Sequence, residues 1–199
     1  MKTLPISIIC RPQVVRETAL NQAESAVVAV NAVAGLFVVA AISLPWLSLF
    51  TGSLVALLTI LFGPLAGFTV SSLYSRVEWT VGKRLGGKAS HDELYRIFAW
   101  PFLLTGSAAL LCALILISIE NPSAKAGLSI PSLILFFCAI RNYCSNIIAI
   151  QQFTLTRGGI NIVVTLALFL VLIAGCGGFL SLLSEYGMQD GLKSLLAQP

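Results

Sequence analysis

Charge is what this sequence has least of. Lys, Arg, Asp and Glu make up 10% of its 199 residues, against about a quarter in an ordinary soluble domain, and so thin a supply does not coat a water-facing surface. Histidine occurs once, at His91, and the five cysteines (Cys10, Cys112, Cys138, Cys144, Cys176) are scattered. No CxxC pair or Cys/His cluster exists, so neither a zinc site nor a disulfide framework is expected. Walker loop, nucleophile elbow and HExxH are absent as well, and no catalytic residue, metal or cofactor is expected. The net charge of +4 is divided among short segments rather than gathered on one basic face, which argues against nucleic acid as a partner. Met1 to Cys10 holds one lysine and an apolar stretch broken by Pro5, too brief for the core of a secretion signal.

Apolar residues are abundant instead: 57% of the chain, with a mean hydropathy of +0.94. A bilayer core about 30 Å thick is crossed by about 20 helical residues. Five stretches are long enough, at about 24–44, 53–74, 97–119, 128–150 and 160–183. Backbone groups in hydrocarbon must pair within their own segment, so these runs read as helices. The expectation is an all-α integral membrane protein, a five-helix transmembrane bundle forming one membrane domain over 1–199, with membrane lipids around it.

The joints mark the turns. Pro45-Trp46 and Thr51-Gly52 make an uncharged first hairpin, Glu120-Asn121-Pro122 ends the third span, and Arg157-Gly158-Gly159 separates the fourth from the fifth. The long second connection, 75–96, concentrates charge. Lys2, Arg11, Arg16, Arg76, Lys83, Arg84, Lys88, Arg96 and Arg157 fall on one face, and only Lys125 and Lys193 on the other. The positive-inside rule then puts the amino terminus in the cytoplasm and the carboxyl terminus outside. Residues 12–20 suit a short interfacial helix. Ser90 and Glu93 have capping-box spacing, so a helix is expected to start there, either on the membrane surface or as part of a plain cytoplasmic loop.

Three groups of residues stand out. In the second span Gly63, Gly67, Ser71 and Ser75 recur every four residues, a small-residue stripe that admits a neighbouring helix, and Pro64 favours a kink there. Ala174, Gly175, Gly177, Gly178 and Ser181 give the fifth span similar small surfaces, and the two spans are expected to pair. In the fourth span Arg141, Asn142, Ser145, Asn146 and Gln152 lie within roughly 140° of one another on a helix. That polar face reads as a pathway or anion site, as an interhelix lock, or as a span shifted so that Arg141 reaches the headgroups. Lys83, Arg84, Gly86, Gly87 and Lys88 are the candidate contacts for lipid or a protein partner. Glu78 reads as a surface residue paired with Arg76, Lys83 or Arg84.

Together these features resemble the Yip family, the Ypt-interacting-protein domain, in compact bacterial form. The resemblance rests on Ile9-Cys10-Arg11-Pro12, on Gly63-Pro64-Leu65-Ala66-Gly67, and on Leu85-Gly86-Gly87-Lys88-Ala89-Ser90 followed by Leu94-Tyr95-Arg96-Ile97-Phe98-Ala99-Trp100-Pro101. The Gly-Gly-Lys-x-Ser segment leading to an aromatic-rich helix is its most specific part; the fourth and fifth spans agree only in being hydrophobic. The resemblance implies a multispan protein without enzymatic activity. Its eukaryotic members bind prenylated Rab-type GTPases through early secretory membranes, but this chain lacks their long amino-terminal extension, which favours a bacterial plasma-membrane role. The expected function is a non-enzymatic scaffold whose 75–100 connection recruits a protein partner or organises lipid, with self-association into a homo-oligomer left open. The alternative is a small transporter or channel using the face around Arg141.

Overall fold

The computed structural model describes residues 11–44 and 52–174, apart from the side chains at 52–56, 58 and 122. These residues form six α-helices and no strand: α1 (Pro12–Asn21), α2 (Glu24–Ser43), α3 (Gly52–Arg84), α4 (His91–Ser118), α5 (Pro122–Gln151) and α6 (Leu155–Ala174). Four of them, α2, α4, α5 and α6, are long and apolar enough to cross a membrane. The chain is thus a helical membrane protein. Its outer surface carries large apolar side chains such as Phe62, Leu65 and Phe68 on α3, Phe137 on α5 and Val171 on α6, a belt that suits lipid and not water.

Helix boundaries differ from expectation where capping chemistry decides them. The second connection is largely helical. α3 runs on to Arg84, about 50 Å in all at 1.5 Å per residue, and closes with a Schellman turn in which Gly87 N–H donates to the Gly82 carbonyl (2.7 Å) and Gly86 N–H to that of Lys83 (3.1 Å). Gly86 sits at φ 84°, a left-handed position that favours glycine. α4 then starts at His91 on the expected capping box: Ser90 Oγ accepts from Glu93 N–H and Glu93 Oε2 accepts from Ser90 N–H. It continues unbroken into the third span. Asn121 caps α5 through Ser123 N–H (2.9 Å), with Pro122 in the first turn, where its missing N–H costs nothing.

The fourth joint is corrected too. α5 stops at Gln151 because Gln152 turns left-handed (φ 55°) and Phe153 N–H donates back to the Ile148 carbonyl. Gly158 and Gly159 therefore lie inside α6. Gly158 is buried, and a Cβ there would meet the Ile148 side chain, so its role is close packing of α6 on α5. Cys112 and Cys144 are free, and Cys10 and Cys176 lie outside the described residues.

The small-residue stripe meets α2 at Gly63 and Gly67, while α3 also contacts α6, the helix of the expected fifth span, further along through Glu78 with Asn161 and Tyr74 with Phe169. Of the fifth span's small residues, Gly175, Gly177, Gly178 and Ser181 lie outside the described residues. A Cβ at Gly63 would come 2.6 Å from Leu36 Cα, one at Gly67 would press on the Asn31 carbonyl and come 2.9 Å from Gly35 Cα, and one at Gly106 of α4 would come 2.8 Å from the Ala34 carbonyl. Backbones of α2, α3 and α4 thus touch directly, the gain available where lipid gives no hydrophobic drive for helices to associate. α4 is central, packing against α1, α2, α3 and α5. Higher on the stripe Ser71 is buried and returns its hydroxyl to the Gly67 carbonyl (2.7 Å), while Ser75 Oγ meets His91 Nε2 (3.2 Å).

Because nothing flexible can yield at Gly67, Gly67→Val is expected to lower stability in detergent by on the order of 2–3 kcal/mol. Gly127, which has open space around it, should accept alanine with a slight gain from helix propensity. Thermal unfolding followed by circular dichroism measures both, and equal midpoints for the two variants would refute the backbone contact.

Candidate functional site

Three connections meet at one end of the bundle: the α1–α2 junction, the 85–90 turn and the 152–154 turn. Gln151 binds two of them. It is 1% exposed; its carbonyl accepts from Lys88 N–H (3.4 Å) and its Oε1 from Ala89 N–H (3.3 Å). Its amide lies against Gly82 and Gly87, where a Cβ would collide with it. The third connection is tied by Arg96, which bonds Asp92 Oδ2 (2.7 Å) and donates to the Gln22 carbonyl (2.6 Å). The five residues expected as a contact patch therefore divide. Gly86 and Gly87 build the turn, and Lys83, Arg84 and Lys88 project from it, exposed.

The expected polar face on α5 divides as well. Asn142 and Asn146 are buried, Arg141 and Ser145 are exposed, and Gln152 lies past the helix end. Arg141 is ten residues before Gln151, about 15 Å along the axis. There it meets α1, whose Val15 and Ala19 are buried and which packs on α4 and α5. Arg11 and Arg16 from the start of α1 and Arg141, Ser145 and Asn146 from α5 line one groove of about 500 Å³.

Glu78 overturns the surface reading most clearly. It is 1% exposed and makes no ion pair among the described residues. Tyr143 Oη donates to its Oε2 (2.9 Å), the Asn161 side-chain amide to its Oε1, and Thr165, fully buried, lies beside it. A phenol has one proton, so in the 2.6 Å contact between Tyr74 and Tyr143 Tyr74 must donate. The chain of donors runs Tyr74 to Tyr143 to Glu78 and joins α3, α5 and α6. Tyr74 and Tyr143 also line an almost wholly apolar cavity of about 440 Å³ with Phe98, Phe102, Phe136 and Phe169, and Tyr74 stacks on Phe98 at 4.5 Å. Sequence reasoning missed this cluster because it ended the span at residue 74. The available signal was spacing: Glu78 and Gly82 continue the stripe of Gly67, Ser71 and Ser75.

The chain matches no protein-family model, no curated protein and no solved structure.

Removing the acceptor orphans two buried donors, each worth about 1–3 kcal/mol. Glu78→Leu should therefore unfold well below the wild type in a detergent melt. Glu78→Gln keeps an oxygen for Asn161 and removes any buried charge, so it should stay within about 1 kcal/mol of the wild type. Equal losses in the two variants would show that the cluster is held by shape and not by hydrogen bonding.

Proposed function

We propose that this chain is a five-span, non-enzymatic protein of the plasma membrane that organises anionic lipid at its cytoplasmic end. The fifth span in this reading is α3, whose 33 residues contain the apolar stretch 53–74. The amino terminus lies inside and the carboxyl terminus outside. One observation carries the function: the cationic residues are gathered where the connections meet. Lys83, Arg84 and Lys88 around the second turn, Arg96 near the start of α4 and Arg157 near the start of α6 share that end, Arg11 and Arg16 line the α1 groove further along the bundle, and Lys125 marks the start of α5 at the other end. Anionic lipids of a cytoplasmic leaflet attract such residues by about 1 kcal/mol each.

Support also comes from how the end is built. Gln151 and the Schellman turn fix Lys83, Arg84 and Lys88 on a rigid base, and α1 lies docked across α4 and α5. A fixed array of cations sorts lipids better than a loose tail, since less freedom is lost on contact. The resemblance to the Yip family, whose members act on membranes without a catalytic residue, agrees with this reading. The transport alternative has less support, because the face it needed around Arg141 is split between exposed and buried residues.

In a variant with Trp46 and Trp100 replaced by Phe, Trp79, 39% exposed on α3 close to this end, is the one tryptophan left and reports the lipid beside it. In mixed bilayers, brominated phosphatidylglycerol should quench the intrinsic fluorescence more than brominated phosphatidylcholine. Charge reversal of Lys83, Arg84 and Lys88 together should reduce that preference by at least about fivefold. A preference that survives the reversal intact would overturn the proposal.

A further inference from the structure

The groove between α1 and α5 has the chemistry of a specific site and not only of a charged surface. Its lining includes three arginines, Arg11, Arg16 and Arg141, together with Ser145, and no acidic residue. None of the three arginines makes an ion pair or a side-chain hydrogen bond among the described residues. The decisive group is Asn146. It is 1% exposed and its side-chain Nδ2 has no acceptor, although a buried donor of this kind is nearly always satisfied. Converging cations repel one another, and a buried amide donor loses its hydrogen bonds to water. One anion with several acceptor oxygens relieves both costs at once.

The geometry points to a binding site for the phosphodiester headgroup of an anionic phospholipid, held by Arg141, Arg16 and Arg11 with Asn146 Nδ2 as the donor at its floor. Guanidinium forks match phosphate oxygens two at a time, which ammonium groups do not. The position favours a lipid over a free ion. Arg141 lies about 15 Å inside the end of α5, and α1, which supplies the opposite wall, carries its apolar Val15 and Ala19 inward against the bundle. A headgroup reaches this depth from the bilayer with its acyl chains still in hydrocarbon. The assignment rests on the reading that this end faces anionic lipid, and it adds one saturable site to that general attraction.

The test titrates the detergent-solubilised full chain with short-chain phosphatidylglycerol, short-chain phosphatidylcholine and inorganic phosphate, read by native mass spectrometry and calorimetry. One phosphatidylglycerol is expected per chain, with phosphatidylcholine much weaker and phosphate unable to displace it. R141Q and N146A should each weaken phosphatidylglycerol about tenfold or more, the size of one charge-assisted hydrogen bond. R16Q, on the other wall, should do the same, so that the site does not depend on one variant. The combined reversal of Lys83, Arg84 and Lys88 should leave this site intact, which separates its failure from failure of the broader lipid reading. Equal affinity for inorganic phosphate would replace the lipid site with a phosphate site, and binding unchanged in R141Q, R16Q and N146A would overturn the assignment.

Discussion

Hydrocarbon does not hydrogen-bond a peptide group, and the architecture follows from that constraint. Every described residue outside a short turn is helical, so backbone donors and acceptors are satisfied within their own segments. The same solvent inverts the usual distribution of side chains. Phe, Leu, Ile and Val face outward on α3, α5 and α6, while Asn31, Ser71, Glu78, Asn142, Asn161 and Thr165 are buried between helices. Association cannot come from hiding apolar surface from lipid tails, so two other attractions replace it. Near the middle of α3, glycine lets the backbones of α2 and α3 meet; toward its carboxyl end, a carboxylate takes donors from α5 and α6.

These two devices lie on a single stripe of α3. Gly63 and Gly67 face α2, Ser75 reaches His91 of α4, Glu78 holds Tyr143 and Asn161, and Gly82 makes room for Gln151. One helix thereby helps to position α2, α4, α5 and α6, and the turn that follows it places Lys83, Arg84 and Lys88. Gln151 occupies the space left by Gly82 and Gly87, so the 85–90 turn and the end of α5 are held together. The cationic end is anchored by buried, neutral Gln151 and by the Arg96–Asp92 pair, and among the described residues Lys83, Arg84, Lys88 and the groove arginines make no ion pair.

Much of this was legible in the sequence wherever a single segment decided the outcome. Length and apolarity located the helices, Ser90 and Glu93 announced the start of α4, and the spacing of Gly63, Gly67 and Ser71 announced a close helix contact. Pairings between distant segments were not legible. Nothing in the stripe says that α2 meets it at Gly63 and Gly67 while α6 meets α3 further along, at Tyr74 and Glu78. Glu78 was misjudged for a physical reason: a charged residue followed by Lys83 and Arg84 looks like the edge of a loop, and only the donors on α5 and α6 make its burial tolerable. Gln151 was passed over for Gln152 because helical geometry extrapolates past an end that a left-handed residue cuts short.

The central claim is that lipid surrounds the apolar belt and that the cationic end and the Lys125 end lie on opposite sides of the bilayer. Single cysteines placed at Lys88 and Lys125, exposed to a membrane-impermeant maleimide in sealed vesicles of one orientation, test it directly. Lys88→Cys should react only from the cytoplasmic side and Lys125→Cys only from the other. Reaction of both from the same side would contradict the account.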